Sequence, residues 1–222
     1  ESKNQNFNHL KIHSQYSICE GAIKIDDLKD FSKENKIKSL ALCDTTNLCG
    51  ALEFSEKISK VGTQPIIGTQ INFRFSGTTG LLPLYALNET GYKRIIELSS
   101  LSYLKNDRLS EPHLDFKELL NLNKGVAVFS GTVYGLFGQL FDKGKFTEIN
   151  EMYKKLKDVY EDRFYIEIQR HGDQNEKDFE RFNLENSKKL EIPLIATNEV
   201  FYLNKDMHEA HDALICIKNK TY

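Results

Sequence analysis

Six short polar segments stand where apolar runs give way, and they hold the side chains best suited to acid–base, phosphate or metal chemistry. They are Lys11-Ile12-His13-Ser14 with Glu20 beyond it, Asp44-Thr45-Thr46-Asn47, Gln70, Ser130-Gly131-Thr132, Gln169-Arg170-His171-Gly172 and Thr197-Asn198-Glu199-Val200-Phe201. Imidazoles and carboxylates gathered in one place can hold divalent cations, which generate hydroxide and clamp phosphate oxygens. Parallel α/β domains carry their functional groups on the loops that leave the C-terminal ends of strands, so convergent polar groups at those ends describe a current or former active site.

The elements that must position these segments alternate along the chain. Leu40-Ala41-Leu42-Cys43 has the composition of a strand, and Leu48, Ala51, Leu52, Ser55 and Ile58 then trace one face of a helix that Gly62 stops. Pro65–Gly68 and Ile71–Phe75 form the next strand, which turns through Gly77–Gly80 into Leu82–Leu87. Helical spacing returns at Ile95, Ile96, Ser99 and Leu101. Gly125–Phe129 is a buried strand, and Phe146, Ile149, Met152, Tyr153, Leu156 and Val159 predict an amphipathic helix. Phe164–Ile168 is a strand, Glu176–Leu190 a helix, Pro193–Thr197 a strand and about 206–217 a last helix. Repeated strand–helix units predict parallel strands surrounded by helices, as an open sheet or a barrel. No Pro/Gly/Ser-rich linker divides residues 1–222, so a single domain is expected.

Composition narrows the function. Of 222 residues, 40% are hydrophobic and 28% charged, enough for a sizeable core. Thirty Lys and Arg against 32 Asp and Glu leave a formal charge of −2, which argues against a surface that itself grips nucleic acid. No apolar run approaches the roughly 18 residues of a membrane span, and no signal-peptide pattern opens the sequence. The cysteines, Cys19, Cys43, Cys49 and Cys216, include no C-x-x-C pair and are read as reduced thiols of a cytoplasmic protein. On that reading Asn88-Glu89-Thr90 and Asn219-Lys220-Thr221 match the glycosylation triplet by chance.

Several motifs fall in one order and at familiar spacing. They are His9–Ser17, Asp44–Gly50, Pro65–Gly68, Asn88–Tyr92, Asp162–Ile168, His171-Gly172 and Ala196–Asn198. Together they make the chain, from about residue 7 to 217, resemble the N-terminal PHP (polymerase and histidinol phosphatase) domain of bacterial replicative DNA polymerase III alpha subunits. The resemblance implies a distorted (β/α)7 barrel of mostly parallel strands. It also implies a parent whose polymerase domains, with their own Mg2+, follow beyond Tyr222.

Competent members of that family hold a cluster of zinc or manganese ions with His and carboxylate ligands and hydrolyse phosphate esters, in some polymerases as a 3′–5′ exonuclease. Carried over position by position, the first histidine of the opening H-x-H is Lys11 and the second is His13. The following aspartate is Glu20. The histidine of the T-D-H-like segment is Thr45, beside a kept Asp44. The glutamate after the third strand is Gln70, the Cys or His after Ser130-Gly131 is Thr132, and His171 is retained. In the closing N-D-x-H element the aspartate is Glu199 and the histidine is Phe201. The resemblance thus implies a degenerate site with no catalytic residues, in which His13, Glu20, His171 and Glu199 are the only possible weak metal ligands. A charged lysine repels a dication, and Lys11 is expected to replace the metal as counter-charge, close to Glu20 or Glu199.

Other motifs have structural readings. His208-Glu209-Ala210-His211 is one residue short of the zinc-protease spacing. His9 and His113 have no partnered motif. Gly131, Gly135 and Gly138 lack the Gly-Lys-Ser/Thr of a phosphate loop. Lys154, Lys155, Lys157, Lys188 and Lys189 lie among acids, as solvated helix faces, and Phe179 and Phe182 are core residues rather than base-stacking platforms.

The expected function is a non-catalytic module of the polymerase alpha chain. It would stabilise the rest of that chain and dock the proofreading exonuclease subunit, touching DNA only through the parent and no membrane. The alternatives are an active metal-dependent phosphoesterase or 3′–5′ exonuclease, and an unrelated barrel hydrolase with the same layout.

Overall fold

A computed structural model describes residues 10–12, 25–34, 39–45, 51–106, 110–170 and 174–200. Their contacts form two compact units, one of residues 1–67 with 196–222 and one of residues 68–195. The helix expected at about 206–217 lies outside the described residues, as do His9, His208 and His211.

The first unit contains β1 (Leu10–Ile12), α1 (Ile25–Glu34), β2 (Ser39–Thr45), α2 (Ala51–Ser59) and β9 (Asn198–Val200). β1 lies parallel to both β2 and β9. Ile25 and Leu28 of α1 and Ala51, Phe54 and Ile58 of α2 are buried, at the i, i+3, i+4 and i+7 spacing of a helix with one apolar face. α2 ends before Gly62, whose φ of +80° is the left-handed conformation glycine adopts without strain. Lys57 of α2 lies 2.8 Å from Asp26 of α1 and 2.8 Å from Glu53 of its own helix.

The second unit holds most of β3 (Gln64–Phe75), then β4 (Thr78–Ala86), α3 (Glu89–Leu104), β5 (Leu114–Asp115), α4 (Phe116–Asn121) and β6 (Val126–Phe129). There follow α5 (Leu136–Asp142), α6 (Phe146–Tyr160), a 3-10 turn at Glu161–Arg163, β7 (Phe164–Ile168), α7 (Gln174–Leu190) and β8 (Leu194–Ala196). Its strands run in the order β8-β7-β6-β4-β3, with β5 beside β3. β3 and β4 form an antiparallel hairpin whose last pair is Phe75↔Thr78. The two-residue loop is Ser76-Gly77, at φ +50° and +74°, as the hairpin turn that matches strand twist requires. β4 also pairs antiparallel with β6, and β6 is parallel to β7. The expected class stands: a mixed α/β fold, mostly parallel, with helices around the strands.

Packing follows the sequence pattern closely here. All four residues of β6 are buried, and Ile149, Met152, Tyr153, Leu156 and Tyr160 form the buried stripe of α6. Phe137 meets Tyr153 edge-on at 4.8 Å, and Phe141 lies 5.3 Å from both Phe179, which is a core residue as expected, and Phe182, which is half-buried. Asn88 caps α3 by accepting from the Gly91 N–H at 2.9 Å, so the glycosylation-like triplet is a helix start. Lys154, Lys155, Lys188 and Lys189 are exposed. No helix among the described residues is long and apolar enough to cross a membrane.

Candidate functional site

Of the residues singled out from the sequence, Lys11, Asp44, Thr45 and Glu199 fall on strands of the first unit. β1 and β9 run in a register that pairs Lys11 with Glu199, Leu10 with Asn198 and Ile12 with Val200. Ile12 is also the register partner of Leu42 in β2. Successive residues of a strand alternate between its faces and register partners share one. Lys11, Glu199 and Thr45 therefore belong to one face of this three-stranded sheet. Asp44 belongs to the other, with Ile12, Leu42 and Val200. The T-D-H-like segment thus places Thr45, not its retained carboxylate, on the face of Lys11. Glu199 lies within a strand that the sequence reading took for a loop, because β9 follows β8 after one residue and has no apolar period of its own. His13, Glu20, His171 and Phe201 lie outside the described residues.

Gln70 and Thr132 fall in the second unit. Gln70 is buried in the middle of β3, where its register partner is Pro83. It offers a neutral amide and no carboxylate. Thr132 follows β6 through Gly131, whose φ is +85°. Its hydroxyl accepts from the Tyr134 N–H at 3.3 Å and its carbonyl accepts from the Gly135 N–H at 3.0 Å. The residue is thereby built into the turn that starts α5. Close packing explains a neighbouring glycine: a methyl group on Gly138 would overlap the Val133 carbonyl. The glycines of this connection shape a turn and a helix contact, as expected in the absence of a phosphate loop.

At the C-terminal ends of β6 and β7 the second unit has a small, partly open cavity of about 20 Å3 lined by Thr132, Glu167, Gln169, Glu176 and Asn183 together with apolar residues such as Val133 and Phe179. Glu167 and Glu176 are both buried, at 2% and 7% exposure. The Ser130 hydroxyl accepts from the Glu167 N–H at 2.9 Å, and the Ser130 N–H donates to the Tyr165 carbonyl at 2.9 Å. Behind them the Tyr153 hydroxyl donates to Asn183 Oδ1 at 2.8 Å. Burial pushes that phenol far above the ordinary tyrosine range, while a hydrogen bond with Ser130 pulls it the other way. It therefore stays protonated and acts as a fixed donor. Arg170 holds Glu180 through two bonds, at 2.6 and 3.1 Å, at the open edge.

The sequence reading missed Glu167, Glu176, Asn183 and Tyr153. One signal was available: Glu167 is a charged residue inside the otherwise apolar run Phe164–Ile168, next to the strand end. Among the described residues no three His, Cys, Asp or Glu come together as a metal cage. Chemically, the second unit gathers two buried carboxylates with hydroxyls and amides, and Asn183 Nδ2 is buried there without a hydrogen-bond partner among the described residues. The first unit pairs a cationic residue type with an anionic one across two adjacent strands.

Comparison with known proteins gives the family. The family model described as PHP domain matches residues 9–171. The DNA polymerase III subunit alpha of Rickettsia felis is 37% identical over 212 residues, which are 95% of this chain and 18% of that protein. The corresponding subunit of Caulobacter vibrioides is 35% identical over 230 residues, covering all of this chain and 20% of that protein. The chain thus spans about a fifth of the length of the curated relatives it matches. In fold it is similar to an amidohydrolase from Chromobacterium violaceum, solved with bound sulfate and no metal. The TM-score is 0.56 at 10% identity, covering 89% of this chain and 88% of the other. The motifs read from His9 to His171 and the match over those same residues lead to one assignment: the chain belongs to the PHP domain family.

Proposed function

We propose that the chain is the PHP module of a DNA polymerase III alpha subunit and that it serves the polymerase as a scaffold rather than as a phosphoesterase. The observation that carries the reading is the register of β1 and β9, which makes Lys11 the cross-strand partner of Glu199. Adjacent strands lie roughly 4.8 Å apart, so the register sets a basic residue type beside an acidic one. At about 5 Å and an effective dielectric of 20, an ammonium repels a dication by roughly 7 kcal/mol. Gln70 and Thr132 add no anionic donor, and the Thr132 hydroxyl is already engaged by a backbone N–H. This donor set does not fit a cluster of divalent metals, and no hydrolytic step is derived through one.

A module of this kind stabilises the rest of the alpha chain and docks the proofreading exonuclease subunit. A polymerase that delegates proofreading has no need of a second nuclease centre. The parent's nucleotidyl transfer, with its Mg2+, belongs to other domains. Elemental analysis after purification without chelators, together with a phosphodiester assay in Mn2+ and Zn2+, tests the reading. The expected result is metal far below one ion per chain and no turnover. Stoichiometric metal, with turnover that His13→Ala abolishes, would overturn it in favour of an active phosphoesterase.

A further inference from the structure

Away from the strand ends, the second unit carries a groove of about 410 Å3 between the β3–β4 turn, the start of α4 and the outer face of α6. Its floor is apolar. Phe75 lies half-buried, with its ring 5.8 Å from that of Phe116, and Leu120 and Met152 continue the surface. Its rim is basic. Arg74, Lys117 and Lys155 line it and are exposed, while Asp115, 4.0 Å from Lys117, is the one carboxylate in the lining. Asp115 is also the register partner of Arg74 across β3 and β5, so one carboxylate sits beside two of the three cations, and Lys155 has no ion-pair partner among the described residues. Nearby Glu118 is held by Lys105 at 2.6 Å, which leaves the rim net positive.

We propose that this groove is a docking site for an acidic peptide segment of a partner protein, anchored by one large apolar side chain. The charge complementarity is local, because the chain as a whole carries a formal charge of −2. The apolar floor asks for an aliphatic or aromatic anchor and the three cations around it ask for flanking carboxylates. Interfaces of this form draw affinity from the buried anchor, and draw on-rate and orientation from the rim. A nucleic acid fits less well. Phosphates follow an unbroken basic stripe, whereas Asp115 interrupts this rim and Glu151 lies one helical turn before Lys155. The proposal is independent of the metal-free reading of the strand ends, since no residue of one belongs to the other.

Fluorescence anisotropy on the full 222-residue chain tests it with three labelled probes: a dodecapeptide of glutamates with a central leucine, the same peptide with a central serine, and a thymidine dodecanucleotide. The leucine peptide should bind saturably, and the serine peptide roughly tenfold more weakly, as expected for one buried leucine. Combining Arg74→Glu with Lys155→Glu should weaken the leucine peptide by roughly tenfold or more, while Lys60→Glu, on another surface, should change nothing. Both reversals are at exposed positions, and circular dichroism confirms folding. Leu120→Gln is the second variant, removing floor while keeping the rim. Failure to saturate, equal affinity for the serine peptide, or indifference to the double reversal would overturn the proposal. So would tighter binding of the oligonucleotide through Arg74 and Lys155. None of these outcomes bears on metal content or turnover, so this proposal and the scaffold reading fail separately.

Discussion

In the second unit the hydroxyls of Ser130 and Thr132 accept from backbone N–H groups and the Tyr153 hydroxyl donates to Asn183 Oδ1, while Asn183 Nδ2 is buried without a partner among the described residues. In the first unit Lys11 and Glu199 are opposite charges in cross-strand register on short strands. The two regions differ in how their polar groups are used. In the second, hydroxyls and an amide oxygen are absorbed into the packing. In the first, a basic and an acidic residue share a cross-strand register, so the interaction expected there is electrostatic.

The largest effect should come from breaking the absorbed side. Tyr153 is wholly buried against Phe137 and Phe164. Tyr153→Ala should cost about 4 kcal/mol of unfolding free energy, the range for deleting a buried aromatic ring. Tyr153→Phe keeps the ring and isolates the hydroxyl. It should cost about 1–2 kcal/mol, because the buried Asn183 Oδ1 loses its donor. Urea denaturation at low and high salt measures both, and salt should leave the two differences unchanged.

How much of this was legible in the sequence depends on what each segment used to declare itself. β6 and α6 were readable because burial alone determines their pattern: four consecutive apolar residues in one, a 3.6-residue stripe in the other. α5 was not, because Gly131, Gly135 and Gly138 looked like a connection. In fact Gly135 caps that helix and Gly138 lets it pack on the backbone of Val133. α1 was missed because Ile25, Leu28 and Ser32, its buried residues among the described side chains, stand among charged ones. For the site, residue types could be matched to ligand positions one by one, but pairing was invisible. The Lys11–Glu199 register and the separation of Asp44 from Thr45 follow from strand alternation in three dimensions. So does the enclosure of Glu167 and Glu176 in one cavity.

The charged side should give a smaller and salt-sensitive response. A double-mutant cycle of Lys11→Met and Glu199→Gln should return a coupling of about 0.5–1 kcal/mol at low salt, falling when ionic strength is raised. A coupling of zero would mean that the register brings no ion pair with it, and would remove the electrostatic half of the comparison. A coupling that ignores salt would place this pair in the same structural category as Tyr153 and Asn183.

The smallest effect calibrates the other two, because it comes from an ion pair whose contacts are seen directly, Lys57 with Asp26 and Glu53. The Lys57 ammonium, hydrogen-bonded to Asp26 and then Glu53, has its pKa raised well above the ordinary 10.5, and it holds the Asp26 carboxyl below its ordinary 3.8. A carboxyl depressed in the folded state stabilises above its unfolded value and loses that contribution as pH falls through the folded one. The lysine's contribution is complete below 10.5 and fades only as pH rises through its raised value. Both pKa shifts therefore act in full at neutral pH. Lys57→Met should lower the urea midpoint slightly at pH 7, and the difference should vanish near pH ~2, where the carboxyl is protonated in both states. If the difference survives in acid, Lys57 acts through its aliphatic stem packed between α1 and α2. The Lys11→Met variant would then need the same acid control before its effect could be called electrostatic.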